Sequence, residues 1–409
     1  MENNDVLVPE RILQLLEVEG IDTLFGIPDP CFVTLLTLAE QRGWRVIAPH
    51  HEQAGGFMAD GLYRLTGKPG VIIGNEGPGV ANLAPAAIAA AKENTPTIFI
   101  AGQRERYFDQ QVRRGRFQYT RQPRYFEEAM KFVGVIEHPD HVDDIFHEAF
   151  RQAFTGKPGP VYIEYPQDFA AASHGFGPLR QPTEYRLVAQ RADTESLEQA
   201  AELLRQAAQP ILLVGNGVFV SRAQQAVGEL ALALGCPVIN TPGAAARLPG
   251  CAEISAPYAS DTANLAIAAA DLVQAIGTEI GEPIHYGTGR HWAQGRRDRK
   301  WIYLERDATA IGVNRPIDVP LVGDLRDVVP QLTRLVNQGD IPPRMPEGYG
   351  TVLKESASIA LAMVEDFAVD AHIHPAHMSL EISKALPDNP VIIQDGGAVG
   401  LWNLSLIHI

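Results

Sequence analysis

The sequence predicts an α/β protein with two doubly wound parallel-sheet domains and the start of a third, incomplete domain. Short apolar segments that suit buried strands alternate with segments of helical spacing, the pattern of a parallel sheet covered on both faces. Two linkers, 175–191 and 341–350, separate the alternating regions. Beyond the second linker we recognise one helix and one strand, and a unit this small cannot bury its own apolar faces.

The first domain, residues 1–172, is predicted to contain strands at 23–25, 45–48, 70–73, 97–101 and 161–165. Helices are predicted at 9–19, 52–65, 77–92 and 142–154. Residues 104–124 break this alternation because they are polar, arginine-rich and aromatic. We predict a long loop there, and long loops in compact domains are often functional.

The second domain, residues 190–340, is predicted to have strands at 211–214, 238–239, 272–276 and 301–304, between helices at 194–207 and 325–336. Residues 371–403 are the start of the third, incomplete domain, with a helix after His374-Pro375 and a strand at 391–394. Residues 404–409 resemble a translated sequencing adapter, and we interpret them as an artefact at the end of a truncated chain.

Composition narrows the class of function. The chain has 409 residues and a formal charge of -15, which disfavours binding to nucleic acid or to anionic membranes. Its three cysteines, Cys31, Cys236 and Cys251, show no CxxC spacing, so a reducing cytoplasm is expected. The N-terminus lacks the features of a signal peptide, and no apolar stretch approaches the roughly 20 residues of a membrane span.

The densest motif is residues 51–70, which begin His51-Glu52-Gln53 and end Thr66-Gly67-Lys68-Pro69-Gly70. Three further motifs follow in order at 77–83 (GPGVANL), 96–103 (PTIFIAGQ) and 159–168 (GPVYIEYPQD). Together these four motifs resemble the pyrimidine-binding domain of thiamine-diphosphate-dependent enzymes of the acetolactate synthase group. The resemblance implies the doubly wound fold, thiamine diphosphate as cofactor and chemistry on a 2-oxo acid.

In that family Glu52 corresponds to the catalytic carboxylate. A carboxylic acid against the pyrimidine ring nitrogen stabilises the imino form of the neighbouring amine, which removes the proton from thiamine's reactive carbon. The alternative is an exposed first-turn glutamate favoured by the helix dipole. The three companion motifs favour the catalytic interpretation. The resemblance also implies cofactor contacts from Gly26, Pro28, Asn75, Gly77, Pro78, Gly79 and Asn82, besides Glu52 itself.

Substrate contacts are predicted at Phe117-Gln118, which resembles a substrate-channel motif, and at Asp29 and Gln167. Nearby arginines have two interpretations. They could bind a carboxylate or a coenzyme A phosphate, or they could belong to a solvated loop, and both interpretations stay open. These arginines are Arg104, Arg106, Arg113, Arg114 and Arg116.

Several positions depart from acetolactate synthase. Gln167 replaces a lysine, Glu76 replaces the serine of SGPG, and the flavin-side segment is absent from 277–285. Residues 215–218 and 307–324 still resemble the central domain, which in that family holds FAD. These departures leave the identity of the substrate and the binding of FAD undecided, whereas the intact Glu52 motif predicts that thiamine diphosphate is bound.

The resulting prediction is a decarboxylase or carboligase of a 2-oxo acid. Two alternatives are kept: a coenzyme A-linked 2-hydroxyacyl lyase or oxalyl decarboxylase, and a non-catalytic nucleotide-binding or regulatory protein, since a doubly wound fold alone decides no function. Asn75 stands where benzoylformate decarboxylases have a histidine, which disfavours that activity.

The resemblance further implies a homodimer or homotetramer with active sites between subunits. It places Mg²⁺ and the diphosphate on a motif of the third domain that the 409 residues do not reach, so no metal ligand is predicted in this chain. We therefore expect the chain as written to be inactive alone.

Overall fold

A computed structural model describes residues 5–109, 117–244, 248–293, 295, 298–338, 342–355, 373–387 and 390. The chain divides into two compact units, residues 1–190 and 191–409. Each unit contains a six-stranded, fully parallel sheet with helices between the strands. The predicted fold class, α/β with two doubly wound parallel sheets, is confirmed.

The strands of the first unit are β1 Asp5–Leu7, β2 Thr23–Phe25, β3 Arg45–Ile47, β4 Val71–Gly74, β5 Ile98–Gln103, β6 Phe132–Val135, β7 Val161–Pro166 and β8 Ser173–Gly175. Its helices are α1 Val8–Val18, α2 Val33–Gln41, α3 Glu52–Thr66, α4 Pro78–Ala81, α5 Ala84–Glu93, α6 Arg106–Asp109, α7 Val142–Phe154 and α8 Pro182–Tyr185.

The six-stranded sheet has the order β3-β2-β4-β5-β7-β6. From β2 the chain moves outward to β3 and then returns to β4 on the other side of β2. Such a reversal is a switch point, and ligands of open α/β sheets bind beside it at the carboxyl ends of the strands. The residues after β2 and β4 are therefore placed where a ligand is expected.

Both faces of this sheet are buried. Ile73, Ile100 and Ile163 point into one apolar cluster, while Phe99 and Tyr162 point into the cluster on the other face. Burial on both faces explains the unbroken apolar runs that predicted these strands. A separate antiparallel pair, β1 with β8, was not predicted, because its short segments are partly exposed and lack apolar alternation.

The central unit contains β9 Pro210–Val214, β10 Val238–Asn240, β11 Ser255–Pro257, β12 Leu272–Ile276, β13 Lys300–Glu305 and β14 Val319–Val322. Its helices are α9 Thr194–Gln206, α10 Asn216–Val220, α11 Gln224–Leu234, α12 Asp261–Ala269, α13 Arg290–Ala293, α14 Leu325–Val336 and α15 Pro375–Ala385. The sheet order is β11-β10-β9-β12-β13-β14, the order of dinucleotide-binding sheets, with the switch point between β9 and β12.

Two expectations need correction. The predicted helix 77–92 is interrupted, because α4 ends at Ala81 and α5 begins at Ala84. Pro85 has no N–H to continue the helical hydrogen bonds, which accounts for the break. The predicted loop 104–124 contains α6 and a 3-10 helix, Gln122–Tyr125.

Some predictions fall outside the described residues. These are Arg113, Arg114 and Arg116, the strand at 391–394, and the terminal residues 404–409. Of the predicted third-domain segment 371–403, the structure describes α15 and a few flanking residues. Within the described part of the chain, no helix has the length and apolarity needed to cross a membrane.

Candidate cofactor and active site

Glu52 is the first residue of α3. The side chain of the preceding His51 turns back on its own backbone, where Nδ1 accepts a hydrogen bond from the Gln53 N–H at 3.2 Å. His51 is exposed, whereas Glu52 is 8% exposed. The two neighbours therefore point to different surroundings, and Glu52 is the one directed into the protein.

The two carboxylate oxygens of Glu52 have different environments. Asn82 Nδ2 donates to Oε2 at 3.0 Å, from the break between α4 and α5. Oε1 lies 3.0 Å from the point that a Cβ on Gly79 would occupy. Any side chain at position 79 would press on this oxygen, so the glycine keeps Oε1 accessible.

Asn75 lies beside these residues, and Glu52, Asn75, Gly79 and Asn82 together form the Glu52 cluster. The Asn75 Cβ lies 3.2 Å from the same point beside Gly79. Its Oδ1 is buried and has no hydrogen-bond partner among the described residues. An unmet buried polar atom costs about 1–3 kcal/mol, so such an atom is expected where a ligand supplies the donor.

The turn before α4 depends on Gly77, whose φ of +72° is a conformation that favours glycine. A Cβ there would stand 2.4 Å from the Gln118 carbonyl oxygen, so the turn packs directly on residue 118. Gln118 itself has a φ of +57°. The predicted residues Gly77 and Gln118 are thus in contact, and the exposed Pro78 starts the helix.

Gln122 was missed by the sequence reasoning. It is fully buried, and its Oε1 accepts from the Gly77 N–H at 2.6 Å. Its Nε2 donates to the Gly102 carbonyl at 2.9 Å and to Glu164 Oε2 at 3.2 Å. Burial and the Glu164 charge raise the pKa of Tyr162, which donates to the same oxygen. A glutamine inside a polar, arginine-rich segment gives no sequence signal for this role.

Gly26 follows β2 at the switch point. A Cβ there would fall 1.9 Å from Ile73 Cγ1, so this glycine is needed for packing against β4. Pro28 is exposed, and the Asp29 carboxylate accepts from the Cys31 N–H at 3.0 Å. These residues therefore shape the loop beside the cluster of Glu52, and no contact of the described residues joins them to that carboxylate.

Phe117 and Gln167 are separate from the Glu52 cluster in the contacts of the described residues. Phe117 is 70% exposed. Gln167 begins the short 3-10 helix Gln167–Phe169 after β7. Their place in a substrate site stays a prediction.

Charged side chains gather at the carboxyl edge of the same sheet. Arg104 pairs with the buried Glu76 at 3.3 Å, and Arg106 pairs with Asp168 at 2.9 Å. Burial raises the pKa of the Cys31 thiol, and the negative charges of Glu76, Asp29 and Asp168 raise it further. The edge is therefore crowded with carboxylates, two of which are offset by arginine.

The glycine turn of the central unit differs. The Gly217 N–H donates to the Gly277 carbonyl at 2.8 Å, and the Gly215 N–H donates to Ile276 at 3.1 Å. These amides are bonded within the fold, so the turn offers a phosphate no free N–H from Gly215 or Gly217. Within the described ranges, no three His, Cys, Asp or Glu side chains are grouped to hold a metal ion.

Comparison with known families agrees with this geometry. Residues 8–125 match the thiamine pyrophosphate enzyme N-terminal TPP binding domain, and residues 197–332 match the thiamine pyrophosphate enzyme central domain. The chain belongs to the thiamine pyrophosphate-dependent enzyme family. The predicted family resemblance is confirmed.

The chain is similar to individual enzymes of this family. The chain is 26% identical to the "Probable acetolactate synthase large subunit" of Methanococcus aeolicus, over 96% of this chain and 67% of the relative. It is 26% identical to the sulfoacetaldehyde acetyltransferase of Castellaniella defragrans, over 95% of this chain and 68% of the relative.

A solved structure described as a thiamin diphosphate-dependent enzyme from Mycobacterium smegmatis is 25% identical, with a TM-score of 0.69. That match covers 83% of this chain and 65% of the solved one. The chain thus spans about two thirds of the length of these relatives.

Proposed function

We propose that this chain supplies the pyrimidine side of a thiamine diphosphate site in a decarboxylase or carboligase of 2-oxo acids, similar to acetolactate synthase. One observation carries the proposal. Glu52 is buried, Asn82 holds one of its oxygens, and the other lies 3.0 Å from the point that a Cβ on Gly79 would occupy. Asn75 Oδ1 is buried beside them without a hydrogen-bond partner among the described residues, which supports a ligand site at this cluster.

When bound, thiamine diphosphate would supply a carbon nucleophile for the substrate carbonyl and an electron sink for decarboxylation. Glu52 would exchange a proton with the pyrimidine ring of that cofactor. Asn82 holds the Glu52 carboxylate in place through Oε2, and burial of the side chain limits competing water. Asn75 Oδ1 would accept a hydrogen bond from the cofactor.

The proposal assigns the diphosphate and Mg²⁺ to residues other than those described here, since these form no metal-ligand group. FAD is not part of the proposal, because the Gly215 and Gly217 amides are already bonded within the fold. The coenzyme A-linked alternative rests on the arginines of 104–124. Arg106 is engaged by Asp168, which weakens that alternative.

We also propose that the chain forms a homo-oligomer. Helices α3 and α5 pack together and leave large apolar side chains exposed: Phe57 at 43%, Met58 at 45%, Leu65 at 81% and Ile88 at 54%. Large apolar side chains exposed on two packed helices favour an interaction site on these helices. We expect Phe57→Asp to dissociate a homo-oligomer in sedimentation velocity, and Leu187→Asp, at another exposed leucine, to leave it assembled. A monomeric wild type would contradict this part.

Titration of the complete protein with thiamine diphosphate and Mg²⁺ tests the cofactor site. Gly79→Ala is expected to weaken binding by ~10-fold or more, because the new methyl group covers the Glu52 oxygen. The control is Gly61→Ala on α3, where a Cβ has nothing within 4 Å. Equal affinities of the two variants, or failure of the wild type to bind the cofactor or to release carbon dioxide from any 2-oxo acid, would contradict the proposal.

A further inference from the structure

We propose that Arg104, held in place by Glu76, binds the anionic group of the substrate. This inference rests on the proposed function and adds a residue that determines specificity. It starts from Glu76, the carboxylate that stands directly before the Gly77 turn and is 6% exposed. A buried carboxylate is costly unless it is paired and hydrogen-bonded.

The pairing of Glu76 is incomplete. Arg104 Nη1 lies 3.3 Å from Oε1, while Oε2 is buried and has no partner among the described residues. A buried carboxylate oxygen without a donor is an acceptor that a ligand hydroxyl or a ligand-borne water would satisfy. Glu76 therefore serves as a positioning residue, which holds Arg104 through Oε1 and keeps Oε2 as an acceptor without a donor among the described residues.

Arg104 has donors to spare. A guanidinium carries five N–H donors in a planar fork that matches a carboxylate, and one of them meets Glu76. Its side chain is 34% exposed, and the bond to Glu76 is the one hydrogen bond of its guanidinium among the described residues. The ion pair also offsets the Glu76 charge, which would otherwise repel an anionic substrate.

Arg106 provides the contrast. Its Nε donates to Asp168 Oδ2 at 2.9 Å, and its backbone N–H bonds the other oxygen of the same carboxylate at 3.3 Å. Its guanidinium also stacks on Phe169 at 4.4 Å. Among the described residues, each of the two guanidinium groups makes one hydrogen bond to a carboxylate. The stacking on Phe169 holds the Arg106 guanidinium further, and no such stacking contact of Arg104 is found among these residues.

Arg104 lies at the same edge of the sheet as the Glu52 cluster. Glu76 is the neighbour of Asn75, whose Cβ lies 3.2 Å from the point that a Cβ on Gly79 would occupy, close to Glu52 Oε1. A Cβ on Gly102 would lie 3.5 Å from the Glu76 amide nitrogen, an ordinary contact distance, which places the Glu76 backbone beside the end of β5. Arg104 follows directly after β5. An anion on Arg104 would therefore lie at the same sheet edge as the open oxygen of Glu52.

The test is steady-state kinetics of the complete, cofactor-loaded protein with a 2-oxo acid, with acetaldehyde as uncharged substrate and with sulfoacetaldehyde. Arg104→Gln is expected to raise KM for the 2-oxo acid by ~10–100-fold, the loss that follows removal of a charged hydrogen bond. KM for acetaldehyde and the affinity for thiamine diphosphate should stay within about 2-fold. Glu76→Gln should raise the same KM by a smaller factor and change kcat little.

Arg106→Gln is the matched control and should change KM for the 2-oxo acid by less than ~3-fold. Equal effects of the Arg104 and Arg106 variants, or an equal rise for acetaldehyde, would overturn the inference. A rise for sulfoacetaldehyde alone would overturn its carboxylate form in favour of a sulfonate. A wild type without 2-oxo acid turnover would refute the proposed function itself, so the two failures are distinguishable.

Discussion

The switch points of the two sheets carry similar glycine turns with opposite consequences. In the first unit, a Cβ on Gly79 would lie 3.0 Å from Glu52 Oε1 and 3.2 Å from Asn75 Cβ. In the central unit, a Cβ on Gly215 would lie 2.4 Å from the Gly277 carbonyl oxygen, and Gly217 bonds the same carbonyl. Gly79 lets the Glu52 carboxylate approach the backbone of the turn, whereas Gly215 and Gly217 let two stretches of backbone touch.

This difference shows why doubly wound topology does not decide function. Both sheets place a strand-to-helix turn where ligands usually bind. Beside the first turn lie a Glu52 carboxylate oxygen and the buried Asn75 amide oxygen, which has no partner among the described residues, while the Gly215 and Gly217 amides of the second turn are bonded within the fold. Chemistry is therefore assigned by the atoms left open at the turn.

The largest expected effect compares two buried carboxylates, Glu52 and Glu305, each 8% exposed. Glu52→Gln should lower turnover of the complete protein by ~10²–10⁴-fold, because the amide cannot exchange a proton with the cofactor. Glu305 ends β13 and already accepts from the Arg306 N–H at 2.8 Å. Glu305→Gln should keep turnover within about 3-fold.

Turnover under saturating cofactor, together with circular dichroism of both variants, checks this comparison. Similar losses of turnover in the two variants would contradict the assignment of a catalytic carboxylate to the first unit alone. Near-normal activity of Glu52→Gln would refute its catalytic role.

A smaller effect concerns two fully buried glutamines. Gln122→Leu removes the acceptor of the Gly77 N–H and a donor to Glu164, so it should destabilise the first unit by ~2–4 kcal/mol. Gln274 on β12 lies beside apolar strand residues, and its Oε1 and Nε2 have no partner among the described residues. Gln274→Leu should be neutral or stabilising.

Denaturant unfolding of the two variants measures these changes. A stable Gln122→Leu variant would show that the network around Gly77 is dispensable. A strongly destabilised Gln274→Leu variant would show that this glutamine is hydrogen-bonded in solution.

Sequence reasoning succeeded where the signal was local. The apolar runs around Ile72, Phe99 and Val161 predicted buried strands because burial on both faces leaves an unbroken pattern. The Glu52 motif was recognisable because it is contiguous. The pairing of Gln122 with Gly77, 45 residues away, and the contact of Arg104 with Glu76, 28 residues away, depend on tertiary packing and leave no periodic trace.

The smallest expected effect is on pH dependence, and it belongs to the first unit. His147 on α7 is 3% exposed, stacks 4.3 Å from Tyr185 and has no hydrogen-bond partner for its ring nitrogens among the described residues. Burial lowers the pKa of His147. The charges of Asp143 and Asp144 oppose this shift, and those of Arg180 and Arg11 add to it.

The native state therefore holds His147 neutral while the unfolded chain takes up a proton near the ordinary value of 6.5. Between that value and the lowered native pKa the unfolded state binds more protons, so stability is full above 6.5 and falls as pH drops through this window. One such group contributes a slope of at most ~1.4 kcal/mol per pH unit. His147→Phe keeps the aromatic stacking and should flatten the decline between pH 6.5 and the lowered native pKa, while the exposed control His50→Phe should keep it. Urea unfolding across this range measures both, and parallel curves for His147→Phe and the wild type would show that this buried ring does not set the acid sensitivity.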